Sequence, residues 1–299
     1  MAETLPFHTL DVFTDRPFSG NPLAVVLEAG GLTPAQMQII AREFNLSETI
    51  FVQPPVNPTH TARVRIFFPT AEIPFAGHPT IGCAIHLASA LHQGDFETVI
   101  TLEEEAGLVP VSVHRQGTEI TAELTAPVLP FPHGATRDTA LIAAALGLAP
   151  SEIGPHLPSV CQGGPAFLFV PIAGLDALAR ARPQEPAWSR LMGDCGVDSA
   201  YLYTATPGEA QDIRARMFSP TAGIPEDPAT GSATAILAAQ LLQNAALAEG
   251  TTTLGVMQGV EMGRPSRLRL TIELQAGKLR AVRIAGTAVA VSQGRIRLP

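Results

Sequence analysis

Three titratable residues stand where acid–base chemistry could be built. Glu48 opens the apolar run Ser47-Glu-Thr-Ile-Phe-Val52, His78 lies within Ala76-Gly-His-Pro-Thr80, and Asp227 lies within Glu226-Asp-Pro-Ala-Thr-Gly-Ser232. Each alone has a plainer reading: a solvated strand end, a helix cap, an Asp-Pro turn. Sharing one water-poor cleft, they would do more. Neighbouring, partly desolvated carboxylates have raised pKa values, and a raised carboxyl can give and take protons near neutral pH. Taking a proton beside an acidic centre of a substrate and returning it elsewhere requires no metal and no organic cofactor.

The two loops share a second feature. Gly77 and Gly231 each stand directly before a strongly apolar stretch that reads as a buried helix, and Ser232 follows Gly231. First-turn N–H groups of a helix lack intrahelical partners and favour an anion, and glycine lets a ligand approach the backbone closely. Two such helix starts facing one cleft would suit a carboxylate-bearing substrate; the plainer alternative is that both loops are only turns.

Other chemistries find little support. Lys278 is the single lysine and sits in a turn-like Ala-Gly-Lys, so Schiff-base and pyridoxal chemistry are not expected. Cys83, Cys161 and Cys195 form neither a disulfide framework nor a zinc pattern, and no metal site is expected. No GxGxxG opens a helix after a strand, and neither a Walker A sequence nor a GxSxG elbow occurs. His86 and His92 read as core or surface histidines, and Glu103-Glu104-Glu105 as a solvated strand end. A net charge of −8 without a Lys/Arg cluster argues against nucleic acid. Only 15% of residues are charged, against an average of about 25%, which points to much buried surface and a subunit interface. Met1-Ala-Glu-Thr-Leu-Pro6 lacks the basic and apolar regions of a signal peptide. Leu141–Ala149 and Ala233–Ala248 are too short or interrupted to span a bilayer. A cytoplasmic protein without membrane contact is the expectation.

The elements that must position these residues come in two sets. Pro69-Thr-Ala-Glu-Ile-Pro74 recurs as Pro220-Thr-Ala-Gly-Ile-Pro225, an offset of 151. At the same offset Ser47–Val52 faces Asp198–Tyr203, both strand-like. Upstream, Gly20–Val26 resembles Gly163–Phe169; downstream, Ala76-Gly-His78 resembles Thr230-Gly-Ser232 after an insertion of three residues. Four features in one order argue for duplication. Related by a pseudo-twofold axis, the halves would set the two loops across a cleft. A strand pair comes first, Thr9–Thr14 then Leu23–Leu27, with Phe167–Pro171 read in the second half, and an amphipathic helix follows; in the first half, Thr33 is a good N-cap, Pro34 suits the first helical turn, and Met37, Ile40 and Phe44 share a face. A second-half helix near Ala187–Met192 is less regular. Pro79–His92 and Ala233–Leu247, apolar nearly all round, read as buried helices. Hairpins over Val99–Leu124 and Arg267–Leu298 close the halves, with turns at Gln116-Gly117 and Ala276-Gly277. The expected fold is α+β: two pseudo-symmetric domains, each a curved, mainly antiparallel sheet around a central helix. Residues 1–126 form the first and 127–299 the second, joined near Thr125–His133.

Phe18-Ser-Gly-Asn-Pro-Leu-Ala-Val25, Asn45-Leu-Ser-Glu-Thr49, Pro74-Phe-Ala-Gly-His-Pro-Thr80 and Glu226-Asp-Pro-Ala-Thr-Gly-Ser-Ala233 together resemble the phenazine-biosynthesis PhzF-like family. Gly263-Arg-Pro-Ser266 and Gly286-Thr-Ala-Val-Ala-Val291 resemble its C-terminal signatures, so the likeness covers essentially the whole chain. It implies the diaminopimelate-epimerase-like fold, with the site between two similar domains and the last strand, about residues 288–299, able to return to the first. It implies a cofactor-free isomerase resembling trans-2,3-dihydro-3-hydroxyanthranilate isomerase, often homodimeric and acting on a small carboxylated metabolite. By motif match Glu48 is the acid and base, His78, Asp227 and Ser232 are the supporting polar groups, and Gly77 and Gly231 are the backbone donors. Diaminopimelate epimerases and proline racemases place a cysteine directly before each of these glycines; here Ala76 and Thr230 stand there, which disfavours a two-thiol racemase. Cys83, inside a buried helix, reads as a small core residue. A non-catalytic small-molecule-binding or interaction protein on the same fold is the alternative; it would not need to keep the acid–base set.

Overall fold

A computed structural model describes residues 3–134, 138–208 and 211–299. The chain divides into unit 1, Met1–Thr125 with Ala285–Pro299, and unit 2, Ala126–Ile284.

In unit 1, β1 (Thr4–Val12) pairs antiparallel with β2 (Asn21–Val26). The helix α1 (Pro34–Phe44) then carries the chain to β3 (Glu48–Gln53), parallel to β2. Thr33 caps α1 as expected: its hydroxyl accepts from Gln36 N at 3.3 Å while Gln36 Oε1 accepts from Thr33 N at 3.0 Å. Met37 and Ile40 are buried, and Phe44 meets Phe7 edge-on at 5.1 Å. β4 (Ala62–Phe67) is antiparallel to β3, and the short β5 (Glu72–Ile73) is antiparallel to β4. The helix α2 (Gly77–Leu91) follows. Then β6 (Phe96–Glu104) runs parallel to β4, and β7 (Gly107–Gln116) and β8 (Glu119–Thr125) continue as an antiparallel meander.

Ten of the fifteen residues of α2 are buried, because β1, β2, β3, β6, β7 and β8 all pack against it. Burying Ile81 and Ile85 contributes roughly 1.5–3 kcal/mol each. Gly82 marks the closest approach: a Cβ there would stand 2.7 Å from both Leu23 and Val12.

Unit 2 repeats this order after a short β9 (Phe131–Pro132) and the helix α3 (Thr139–Leu146). β10 (Ser159–Gln162) pairs antiparallel with β11 (Ala166–Pro171). Two helices, α4 (Leu175–Arg180) and α5 (Ala187–Cys195), stand where unit 1 has one. β12 (Ala200–Ala205) is parallel to β11, and β13 (Ile213–Ser219) and β14 (Ile224–Asp227) follow antiparallel. The helix α6 (Gly231–Gln243) buries ten of its thirteen residues, against β9, β10, β11 and β16 among others. β15 (Gly250–Gln258) is parallel to β13 and antiparallel to β16 (Ser266–Gln275). Ala276 and Gly277, both at positive φ (51° and 69°), turn the chain into β17 (Lys278–Arg297), the left-handed pair a two-residue hairpin needs. The end of β17 returns to unit 1 and pairs with β1 from Thr4↔Arg297 to Val12↔Ala288.

The parallel and antiparallel pairings thus recur strand for strand. The architecture is α+β, each unit a mainly antiparallel sheet around one central helix. Both central helices begin two residues before the expected start, so Gly77 and Gly231 are their first residues.

Candidate active site

In unit 1 the sequence-nominated acid and histidine meet. Glu48 is the first residue of β3 and His78 the second of α2; both are buried, at 7% and 3% exposure. His78 Nε2 lies 3.2 Å from Glu48 Oε2, outside the alignment of a strong hydrogen bond. The other ring nitrogen, Nδ1, is 3.2 Å from the Asn21 amide nitrogen, and Asn21 is fully buried. Burial pushes the His78 pKa down to about 3, while the Pro22 carbonyl pulls it the other way. The imidazole is therefore neutral at physiological pH and carries one ring proton. The Asn21 side-chain amide can donate to Nδ1, and the Nε2 edge lies toward the Glu48 carboxyl. Gly20 holds that turn: its φ is +67°, and a Cβ would fall 2.3 Å from the Val12 carbonyl oxygen.

In unit 2, Asp227 ends β14 at 6% exposure. The Thr230 hydroxyl donates to Asp227 Oδ2 at 2.6 Å. Gln258, wholly buried on β15, ties the loop down: its amide donates to the Asp227 carbonyl at 2.8 Å and to Thr230 Oγ1 at 3.0 Å, and its oxygen accepts from Thr230 N at 3.1 Å. Gly231 is buried as the first residue of α6, and Ser232, half-buried, is the second. Neither Ala76 nor Thr230, the residues before the two helices, caps the first turn with its side chain. The first-turn donors of α2 and α6 thus keep the anion preference of uncapped helix starts.

An arginine clamp braces each of these loops. Arg216 on β13, wholly buried, grips Glu226 through both arms, at 2.7 and 2.8 Å. It also donates to the Leu178, Ala179 and Ala181 carbonyls at the end of α4 and lies 4.7 Å over the Phe218 ring. Its counterpart at the repeat offset, Arg65, grips Glu72 at 2.6 and 2.5 Å and sits over Phe67 at 5.4 Å. Bidentate guanidinium–carboxylate pairs fix orientation as well as distance, so each pair fixes the strand that leads into its helix start.

The model of the phenazine biosynthesis-like protein family PhzC-PhzF matches residues 10–294. The chain belongs to this family. An uncharacterized isomerase of Mesorhizobium japonicum is 43% identical, over 98% of this chain and 99% of that one. Trans-2,3-dihydro-3-hydroxyanthranilate isomerase of Pseudomonas fluorescens is 38% identical, over 97% of this chain and 98% of that one. Among solved structures, a PhzF-family phenazine biosynthesis protein of Bacillus anthracis superposes with a TM-score of 0.88 at 26% identity, over 99% of this chain and 100% of that one.

Family membership accounts for the motifs. The structure adds partners that the motifs did not single out: Asn21 behind His78, and Gln258 beneath Asp227 and Thr230. The Gly-Asn-Pro turn was a signal for the first. Gln258 lies 31 residues from Asp227 and gave none. One expectation is corrected. Glu103-Glu104-Glu105 is not a solvated strand end, because alternation along β6 sends its members to different surroundings. Glu103 accepts from Val56 N at 2.7 Å and Asn57 N at 2.8 Å and meets His60 Nδ1 at 2.8 Å, closing the loop between β3 and β4. Glu104 turns inward with Ile100 and Leu102 and is buried. Glu105 alone is exposed, 3.5 Å from Arg63. Among the described residues, no group of three or more His, Cys, Asp and Glu is arranged to hold a metal ion, and no helix is long and apolar enough to cross a membrane.

Proposed function

We propose that this enzyme is a cofactor-independent isomerase that shifts a proton within a small carboxylated metabolite, with Glu48 as the group that takes the proton and returns it. The observation that carries this reading is the buried contact between Glu48 Oε2 and His78 Nε2 at 3.2 Å. In the forward step the Glu48 carboxylate removes a proton from a substrate carbon, and the C–H electron pair moves into the substrate's conjugated system. Glu48, now the acid, delivers the same proton to a second position, and the electron pair returns to form the new C–H bond. His78, neutral, holds the carboxyl edge through Nε2. Asp227 and Ser232 act as the remaining polar groups, and the first-turn amides at Gly77 and Gly231 receive the substrate's anionic groups.

The substrate named in the Pseudomonas fluorescens relative is the natural first probe. With trans-2,3-dihydro-3-hydroxyanthranilate in deuterated water, Glu48→Gln keeps folding and ligand binding but loses turnover by about three orders of magnitude or more, along with deuterium incorporation into product. Retained turnover in that variant rejects Glu48 as the proton carrier. Binding of the anion without hydrogen exchange in the unaltered enzyme favours the binding-protein alternative. We further propose a homodimer in the cytoplasm. The low charge density and the buried thiols of Cys83, Cys161 and Cys195 support this, and a monomeric mass by light scattering rejects the dimer.

A further inference from the structure

Glu104 lies outside the proposed mechanism, yet it is a carboxyl at only 8% exposure. Its place becomes meaningful through the duplication. The parallel register Ala62↔Leu102, Arg63↔Glu103 in unit 1 matches Ile213↔Val256, Arg214↔Met257 in unit 2. The next residues along, Glu104 and Gln258, therefore occupy one position. Likewise Ala76 and Thr80 of unit 1 correspond to Thr230 and Thr234 of unit 2.

The threonine-to-carbonyl bonds follow the same correspondence, while the second partners differ: Tyr201 for Thr234, Glu104 for Thr80. Thr234 Oγ1 donates to the Thr230 carbonyl at 3.0 Å, so its one proton is spent and the Tyr201 hydroxyl, 2.9 Å away, must donate to it. Thr80 Oγ1 donates in the same way to the Ala76 carbonyl at 2.7 Å, and Glu104 Oε1 stands 2.7 Å from that hydroxyl oxygen. The one Thr80 hydroxyl proton can serve the Ala76 carbonyl or Glu104 Oε1 but not both; with it on Ala76, as Thr234 has its own on Thr230, a protonated Glu104 completes the pair as donor.

We propose that Glu104 is a positioning residue, held as the neutral acid, that fixes the Ala76–Gly77–His78 helix start through Thr80, in the place Gln258 takes beneath Thr230. Its surroundings agree. Thr80 and Cys83 face it from α2, Gly107 is its partner on β7, and β4 continues past Arg63 with the buried Val64; none of these is cationic. Burial pushes the Glu104 carboxyl up to about 8, against the opposing pull of the Thr80 hydroxyl. The role in turnover rests on the isomerase reading above; the protonation and the helix-start geometry do not.

The test compares the unaltered enzyme with Glu104→Gln, which offers the donor that Gln258 offers, and Glu104→Leu, which offers none. Three readouts are taken: the infrared carboxylic-acid band, thermal unfolding from pH 6 to 9, and kcat and KM with trans-2,3-dihydro-3-hydroxyanthranilate. Expected are a protonated-carboxyl band at pH 6.5 that vanishes in both variants and a loss of thermal stability with rising pH that both variants lack. Also expected is a kcat at least about tenfold lower in the Leu variant with KM changed little, rescued by Gln. Absence of the band from the unaltered protein, or equal pH slopes in all three proteins, overturns the protonation. If neither variant folds, a carbon-13 glutamate titration of the unaltered protein decides: every carboxyl ionised by pH 6 overturns the proposal, and one still protonated there supports it. No turnover by the unaltered enzyme rejects the isomerase reading, while the band and the pH slope still judge Glu104. Folded variants with kcat equal to the unaltered enzyme refute the positioning role.

Discussion

His78 is the residue on which pH bears most directly. An ordinary histidine charges below about 6.5, but burial holds this one neutral down to about 3. Between those values the unfolded chain binds a proton that the native chain refuses, so native stability falls as the pH drops through that window. His86 adds in the same direction: burial first, and then the neighbouring His8, lower it to about 4. Expected, then, is a melting temperature that declines from pH 6.5 toward pH 4, and less steeply so in His78→Gln. Nitrogen-15 spectra should show the His78 ring unchanged between pH 8 and 5; a midpoint near 6.5 for that ring would contradict its burial as a neutral group. In the proposed mechanism that neutrality matters, because an uncharged imidazole sets no fixed cation against Glu48.

At the scale of elements, each central helix start depends on how the short strand before it is held. β5 and β14 are too short to hold their place by ladder hydrogen bonds alone, and the clamps Arg65–Glu72 and Arg216–Glu226 anchor them. Removing one partner of a buried pair leaves the other charge uncompensated, which costs about 3–5 kcal/mol. Arg216→Ala should therefore lower unfolding stability by about that much in urea melts, because Arg216 is wholly buried and also serves the last carbonyls of α4. Arg65→Ala should cost less, since its pair with Glu72 is partly exposed. Equal losses at the two sites would refute the argument from burial. What was legible from sequence divides along similar lines. Local signals held: the Thr33-Pro34 start of α1, the Ala276-Gly277 turn and the apolar helices behind Gly77 and Gly231 are each written in adjacent residues. Glu48 and His78 were legible as a pair only because the repeat and the motifs placed them together. β10 was missed because three of its four residues are buried, leaving no alternation to read. The Glu103–Glu105 run misled because three like charges suggest solvent, whereas the strand's two-residue period sends its middle member into the core.

Unit 1 is completed by two segments far apart in sequence. β1 finds its partner in the end of β17, over a register from Thr4↔Arg297 to Val12↔Ala288, and the Leu298 amide donates to the Glu3 carbonyl at 3.1 Å. Unit 1 therefore lacks one of the strands flanking β1 until residues 288–297 have been made, a pairing of very long sequence separation whose loop-closure cost slows folding. A fragment of residues 1–125 leaves that edge of β1 open, with Leu10 and Val12, which belong to the core, on a strand paired on one side only. It should be poorly folded and prone to aggregate. The opposite construction restores the missing strand within a shorter chain: residues 285–299 placed ahead of residues 3–125 through a short Gly/Ser linker, so that β17 and β1 become neighbours in a hairpin. That rearranged unit should show dispersed amide resonances and a cooperative thermal transition where the simple fragment shows neither. A simple fragment that melts as cooperatively as the rearranged one would mean that the closing strand contributes little, and that unit 1 is stabilised mainly by the strands wrapped round α2.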